Sequence, residues 1–188
     1  MSDQHLVEHL FRKYKCFVRN KSDAIEMESV AKAFGVLQLF GVNVPTETSF
    51  MEDYWTTIGP VIYTPRGEGR SLGDQRRVLT HEIGHVIRFY MDPFKYPVAY
   101  ATKDGRAEIE AYCERGAMEI EWLRTGRLYT LPNLFRHGYA LDEGHVTLAN
   151  DLLEQAATSV ESGIISTPVG IEAREWMREN APELLWQK

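Results

Sequence analysis

The tightest constraint on how this chain of 188 residues can fold is the run Val78-Leu79-Thr80-His81-Glu82-Ile83-Gly84-His85-Val86-Ile87. Two imidazoles and a carboxylate are embedded in apolar sequence, which reads as a buried helix. Polar groups on such a helix require partners. Helical spacing projects His81 and His85 from one face. Two imidazoles placed that way can hold one Zn²⁺ at about 2.0–2.1 Å each. Glu82 adjoins the first histidine, where a carboxylate reaches water beside the ion without ligating it. The expectation is a zinc site with His81 and His85 as ligands and Glu82 as general base.

A catalytic zinc takes a third protein ligand and keeps one position open. A third histidine following the motif after a glycine is excluded, because positions 88 and 91 are Arg88 and Met91. The alternative is a carboxylate on the next helix, where Glu108 and Glu110 both precede the small Ala111. The apolar stripe of that helix is Ile109, Cys113, Gly116, Ile120 and Leu123. Glu108 and Glu110 flank it on opposite sides, each about 100° away. Helical geometry therefore leaves both open.

His81-Glu82-Ile83-Gly84-His85 followed by Glu108-Ile109-Glu110-Ala111-Tyr112 resembles the gluzincin-type zinc metallopeptidases, in particular small zincin-like proteins of phages and bacteria. The likeness covers about residues 55–120. In those proteins the ligand glutamate stands three residues before an alanine, which implies Glu108 as the third ligand. The resemblance also implies an edge strand above the active-site helix that aligns a peptide substrate. The implied activity is zinc-dependent hydrolysis of peptide bonds, and the implied partner is a protein or peptide substrate. Compact size and the phage-like likeness imply an alternative: a virion structural or assembly protein that keeps a zinc-binding zincin fold and contacts other virion proteins.

The rest of the chain predicts an α+β fold, mainly α-helical, as one domain over 1–188. A metal-binding core occupies 55–125, between helical extensions at 1–45 and 142–188. Apolar periodicity predicts helices over 4–18 and, capped by Asp23 with Glu26, from 23 to about 40. Residues 41–49 read as a loop. Residues 55–64 are β-rich, and Pro60 makes them one edge or kinked strand. The motif helix runs from about 73 to 90 and a connector from 93 to 105. Further helices follow over 106–123, 142–160 and 168–179, with an irregular stretch at 127–141 and a terminal turn at 182–187.

A net charge of −6 provides no basic surplus to neutralise phosphates, so a nucleic-acid partner is not expected. No apolar stretch approaches a membrane span and no signal peptide is read. Cys16 and Cys113 read as free thiols. The expected location is the cytoplasm or a phage particle. Hydrolysis also calls for an oxyanion donor, for which Tyr96, Tyr100, His137 and His145 are the candidates. Asp142 or Glu143 is a candidate acceptor for a ligand imidazole. Arg66, Arg70, Arg76, Arg77 and Arg88 lie near the motif, and they read either as solvated charges balancing an acidic protein or as a preference for an acidic or C-terminal carboxylate substrate.

Overall fold

The computed structural model describes residues 2–39, 45–128 and 141–186. The fold is mainly helical with a small sheet. Helix α1 (Asp3–Tyr14) is followed by strand β1 (Phe17–Asn20), and a 3-10 turn at Lys21–Asp23 leads into α2 (Ile25–Leu39). Then come α3 (Glu47–Glu52), β2 (Thr56–Ile58), β3 (Val61–Thr64), α4 (Arg76–Met91), α5 (Lys95–Ala101) and α6 (Lys103–Thr125). Helices α7 (Glu143–Glu161) and α8 (Pro168–Asn180) complete the chain, with a last 3-10 turn at Pro182–Leu184.

The sheet order is β1-β3-β2, with β1 parallel and β2 antiparallel to β3. The single strand expected over 55–64 is thus a hairpin. Gly59, at φ +56°, takes the first central position of its turn, and Pro60 fills the second with the negative φ its ring imposes. Residues 17–18 were expected to continue α1. Instead Lys15 turns left-handed at φ 51°, and Cys16 N–H closes onto the Phe11 carbonyl. That reversal sends Phe17 and Val18 into the sheet. The expected Asp23 cap is replaced too: Asp23 lies in the 3-10 turn, and Glu26 accepts from Arg19 and Tyr63. Helices α3 and α5 stand where loop and connector were expected, and most of 127–141 lies outside the described residues.

One sheet face carries Ile62 and Val18 into the main core. That core joins Leu6, Val7 and Leu10 of α1, Leu79, Ile83 and Val86 of α4, and Val169, Ala173 and Met177 of α8. Both ends of the chain are therefore built around the motif helix. The other face sets Tyr63 and Val61 against Met27 and Ala31 of α2 and Phe50 and Met51 of α3. Lys21, fully buried, pins this layer by donating from Nζ to the Phe50 and Tyr54 carbonyls at 2.5 and 2.6 Å. Burial pushes its pKa down to about 8.

Helix α6 is the central strut, packed by α4, α7 and α8. Thr102 caps its start by accepting from Gly105 N–H, and Gly126, left-handed at φ +64°, ends it. Ala107, Ala111 and Met118 pack toward α7. Toward α4 the approach is closer still. A Cβ on Gly84 would stand 2.9–3.0 Å from Cys113 atoms, so only glycine lets the two helices meet there. Among the described residues no helix is long and apolar enough to cross a membrane.

Candidate metal centre

Helix α4 is buried continuously from Leu79 to Ile87, because α1, α6, α8 and the sheet surround it. His81 and His85 leave it on the α6 side, and α6 answers with Glu110. His81 Nε2 and His85 Nε2 are 3.2 Å apart, and Glu110 Oε2 is 3.1 Å from the first and 3.4 Å from the second. A tetrahedral ion with bonds of about 2.0–2.1 Å separates its ligand atoms by about 3.3–3.4 Å. The three atoms therefore fit a single small ion, and the buried group His81, His85 and Glu110 can hold one.

The structure brings Glu110, not the expected Glu108, to the two histidines. Glu108 is exposed, on the outward stripe of α6, whereas Glu110 is fully buried at the histidines. The stripe argument assumed a helix with one covered side. Because α6 is packed from three directions, a residue beside the apolar stripe on the α4 side lies inside the protein.

The second polar atom of each ligand is also engaged. His81 Nδ1 lies 3.0 Å from Glu114 Oε2, and Arg77 donates to Glu114 Oε1 at 2.7 Å. His85 Nδ1 lies 2.9 Å from the Tyr96 hydroxyl, and Tyr100 donates to Glu110 Oε1 at 2.5 Å. Glu114 can accept from Nδ1–H of His81 and the Tyr96 oxygen from Nδ1–H of His85, and with those protons in place both Nε2 lone pairs would face the centre, the tautomer a ligand needs. Burial opposes charge on both His81 and Glu110. Even so, Glu110 and Glu114 raise the pKa of His81 well above its usual value, and the two histidines hold Glu110 far below the carboxylate range. The cluster thus favours positive charge between its ligand atoms. Burial and the Glu110 charge also keep the Tyr100 phenol neutral.

Glu82 follows His81 on the same buried stretch of α4. Thr57 of β2 donates its hydroxyl to Glu82 Oε2 at 2.5 Å. His81, Glu82 and His85 retain 7%, 7% and 5% exposure, while Glu110 is fully buried.

The other expected residues fall as follows. Tyr96 and Tyr100 reach the cluster, but their hydroxyls serve His85 and Glu110 rather than an open oxyanion position. His145, in the first turn of α7, pairs with Asp142 and with Asp104 at 3.1 Å, and Asp142 also caps α7. Asp142 is thus engaged away from the ligand rings. Glu143 is exposed in the first turn of α7. His137 lies outside the described residues. Arg76 pairs with Asp3 and Glu121, Arg70 with Glu68, Arg66 with Glu28, and Arg88 stands over the Tyr112 ring. None of these arginines forms an acid-binding cluster at the centre. Sequence reasoning missed Glu114 and Thr57, and it named Arg77 without its partner, Glu114. Only Glu114 carried a signal, standing one helical turn after Glu110.

Glu114→Gln is expected to weaken binding of a metal ion by this group about 10–100-fold, the usual effect of losing a ligand's hydrogen-bonded carboxylate. Competition titration against a chromophoric chelator measures it, and unchanged affinity would remove Glu114 from the site. Comparison of the chain with protein-family models, curated proteins and solved structures gives no match.

Proposed function

We propose that this chain is a zinc-dependent peptide-bond hydrolase in which His81, His85 and Glu110 hold the ion and Glu82 is the general base. The observation that carries the reading is the convergence of three ligand atoms within 3.1–3.4 Å beside a carboxylate held by a sheet-edge residue. When bound, zinc supplies a Lewis acid and makes water acidic enough to lose a proton near neutral pH.

The residues of the chain supply the rest. Three protein ligands, rather than four, suit a site that keeps a position for chemistry. Glu82 accepts a proton at its carboxylate and carries it toward the leaving amine. Low exposure of the cluster strengthens every charge interaction within it. Strand β2 is a sheet edge. With a two-residue turn, Ile58 and Val61 form the hydrogen-bonded pair, so alternation turns the N–H and C=O of Thr57 toward the open edge. An extended peptide can pair there, and that favours peptide over other hydrolysable substrates.

Glu82→Gln is the direct test. The variant is expected to retain zinc and its fold while peptide hydrolysis falls by at least about 100-fold. Equal digestion of a peptide library by both proteins would overturn the reading.

A further inference from the structure

A residue hydrogen-bonded to Glu82 has a role that the metal cluster does not explain. Glu82 is attached to a rigid helix by a flexible side chain, so the direction of its carboxylate must be set from outside α4. Among the described residues its carboxylate accepts one hydrogen bond, from Thr57 Oγ1 at 2.5 Å. Thr57 is the middle residue of the three-residue strand β2 and pairs with Ile62, which is fully buried. The Gly59 turn of the same hairpin rests on the Phe89 ring of α4, where an added Cβ would be 3.6 Å from it. The strand that presents Thr57 is thus fixed against the helix that carries Glu82. Thr57 faces two ways: its side chain reaches Glu82, and its main-chain groups face the open edge.

We propose that Thr57 is a positioning residue that fixes the direction of the Glu82 carboxylate and ties it to the strand on which the peptide is laid. The inference rests on the hydrolase reading above. A base free to swing spends time away from the proton it must take, and misplacement by about 1 Å can cost about 100-fold in rate. Valine has the shape of threonine without the hydroxyl, so Thr57→Val removes the hydrogen bond and leaves the strand packed. Thr57→Ser keeps the hydroxyl.

The experiment uses the full zinc-loaded chain. Wild type and Glu82→Gln are first assayed on a peptide library, which tests hydrolysis itself. Thr57→Val is then expected to lower kcat about 10–100-fold with KM, bound zinc and Tm essentially unchanged, while Thr57→Ser stays within about threefold of wild type. A purely structural tie would instead move Tm, KM or zinc content along with kcat. Side-chain NMR couplings of Glu82 provide a readout independent of turnover. One rotamer is expected in wild type and Thr57→Ser, and averaging over several in Thr57→Val. A kcat of Thr57→Val within twofold of wild type, or the loss of zinc in step with kcat, would overturn the inference. Should wild type hydrolyse no peptide, the hydrolase reading fails by itself. The couplings then decide whether Thr57 fixes Glu82: averaging in Thr57→Val supports it, and an unchanged single rotamer overturns it.

Discussion

Glu110→Gln is expected to weaken zinc binding by more than about 100-fold, whereas Glu108→Gln leaves it unchanged. Glutamine has the shape of glutamate, so the packing between α4 and α6 is preserved while the charged ligand is lost. The remaining amide still accepts from Tyr100, which donates to Glu110 Oε1 in the native chain. Two neutral imidazoles alone hold a divalent ion poorly, because the cluster then contributes no charge against it. Glu108, exposed on the far side of α6, has no part in this. Zinc content by mass spectrometry and chelator competition on the two variants compares them directly. A larger loss in Glu108→Gln than in Glu110→Gln would reverse the assignment.

Glu119→Ala is expected to destabilise the fold by about 3–5 kcal/mol, the usual effect of removing one partner from a buried charged network. Glu119 is fully buried and has no part in the metal cluster. Its carboxylate accepts from Ser166 N–H and Thr167 N–H at 3.0 Å, from both their hydroxyls, and from Arg115 Nε at 3.0 Å. Apart from Arg115, on α6 itself, these donors lie at the start of α8, where Thr167 also caps the helix by accepting from Gly170 N–H. The carboxylate sits so near the helix that a Cβ on Gly170 would be 2.2 Å from Glu119 Oε2. Removing it strands several donors and loosens the helix that delivers Ala173, Trp176 and Met177 to the core. Urea unfolding measures the loss. Since domains of this kind are stable by only about 5–15 kcal/mol, a change below 1 kcal/mol would mean that α8 is held by its apolar face alone.

The long elements were legible because they carry their own signals. Asp142 announces α7 and Thr167-Pro168 announces α8, each at a boundary with a physical cause. The missed elements are short or are decided from a distance. β1 was hidden because Phe17 and Val18 continue the apolar rhythm of α1, and only the left-handed Lys15 breaks it. The hairpin at Gly59-Pro60 lacks the common Asn-Gly signal. Helix α5 has seven residues with a proline among them, a composition that reads as connector.

The centre divides in the same way. His81, Glu82 and His85 lie on one helix and announce themselves by spacing. Glu110 was ambiguous with Glu108, and Glu114 went unread, because no local pattern reports that α6 is packed by α4, α5, α7 and α8. Tyr96 and Tyr100 were noticed, but their bonds to His85 and Glu110 were not legible, since which atom a phenol meets depends on where α5 docks. Thr57 was invisible, because a threonine in a strand has no local reason to meet a glutamate 25 residues later.

Gly84, between the two ligand histidines, also acts as a gauge of ionic size. Its contact with Cys113 sets how near α6 comes to α4, and that distance sets how wide the ring of two nitrogens and one oxygen opens. A ring of this width matches bonds near 2 Å. It is too narrow for calcium, whose oxygen ligands stand at about 2.3–2.6 Å and number six or more. Two imidazoles likewise disfavour magnesium relative to zinc or its neighbours in the first transition row. A side chain added at Gly84 would spread the helices and widen the ring without altering any ligand, so for the proposed site the ion preference would depend partly on a residue that never touches the ion.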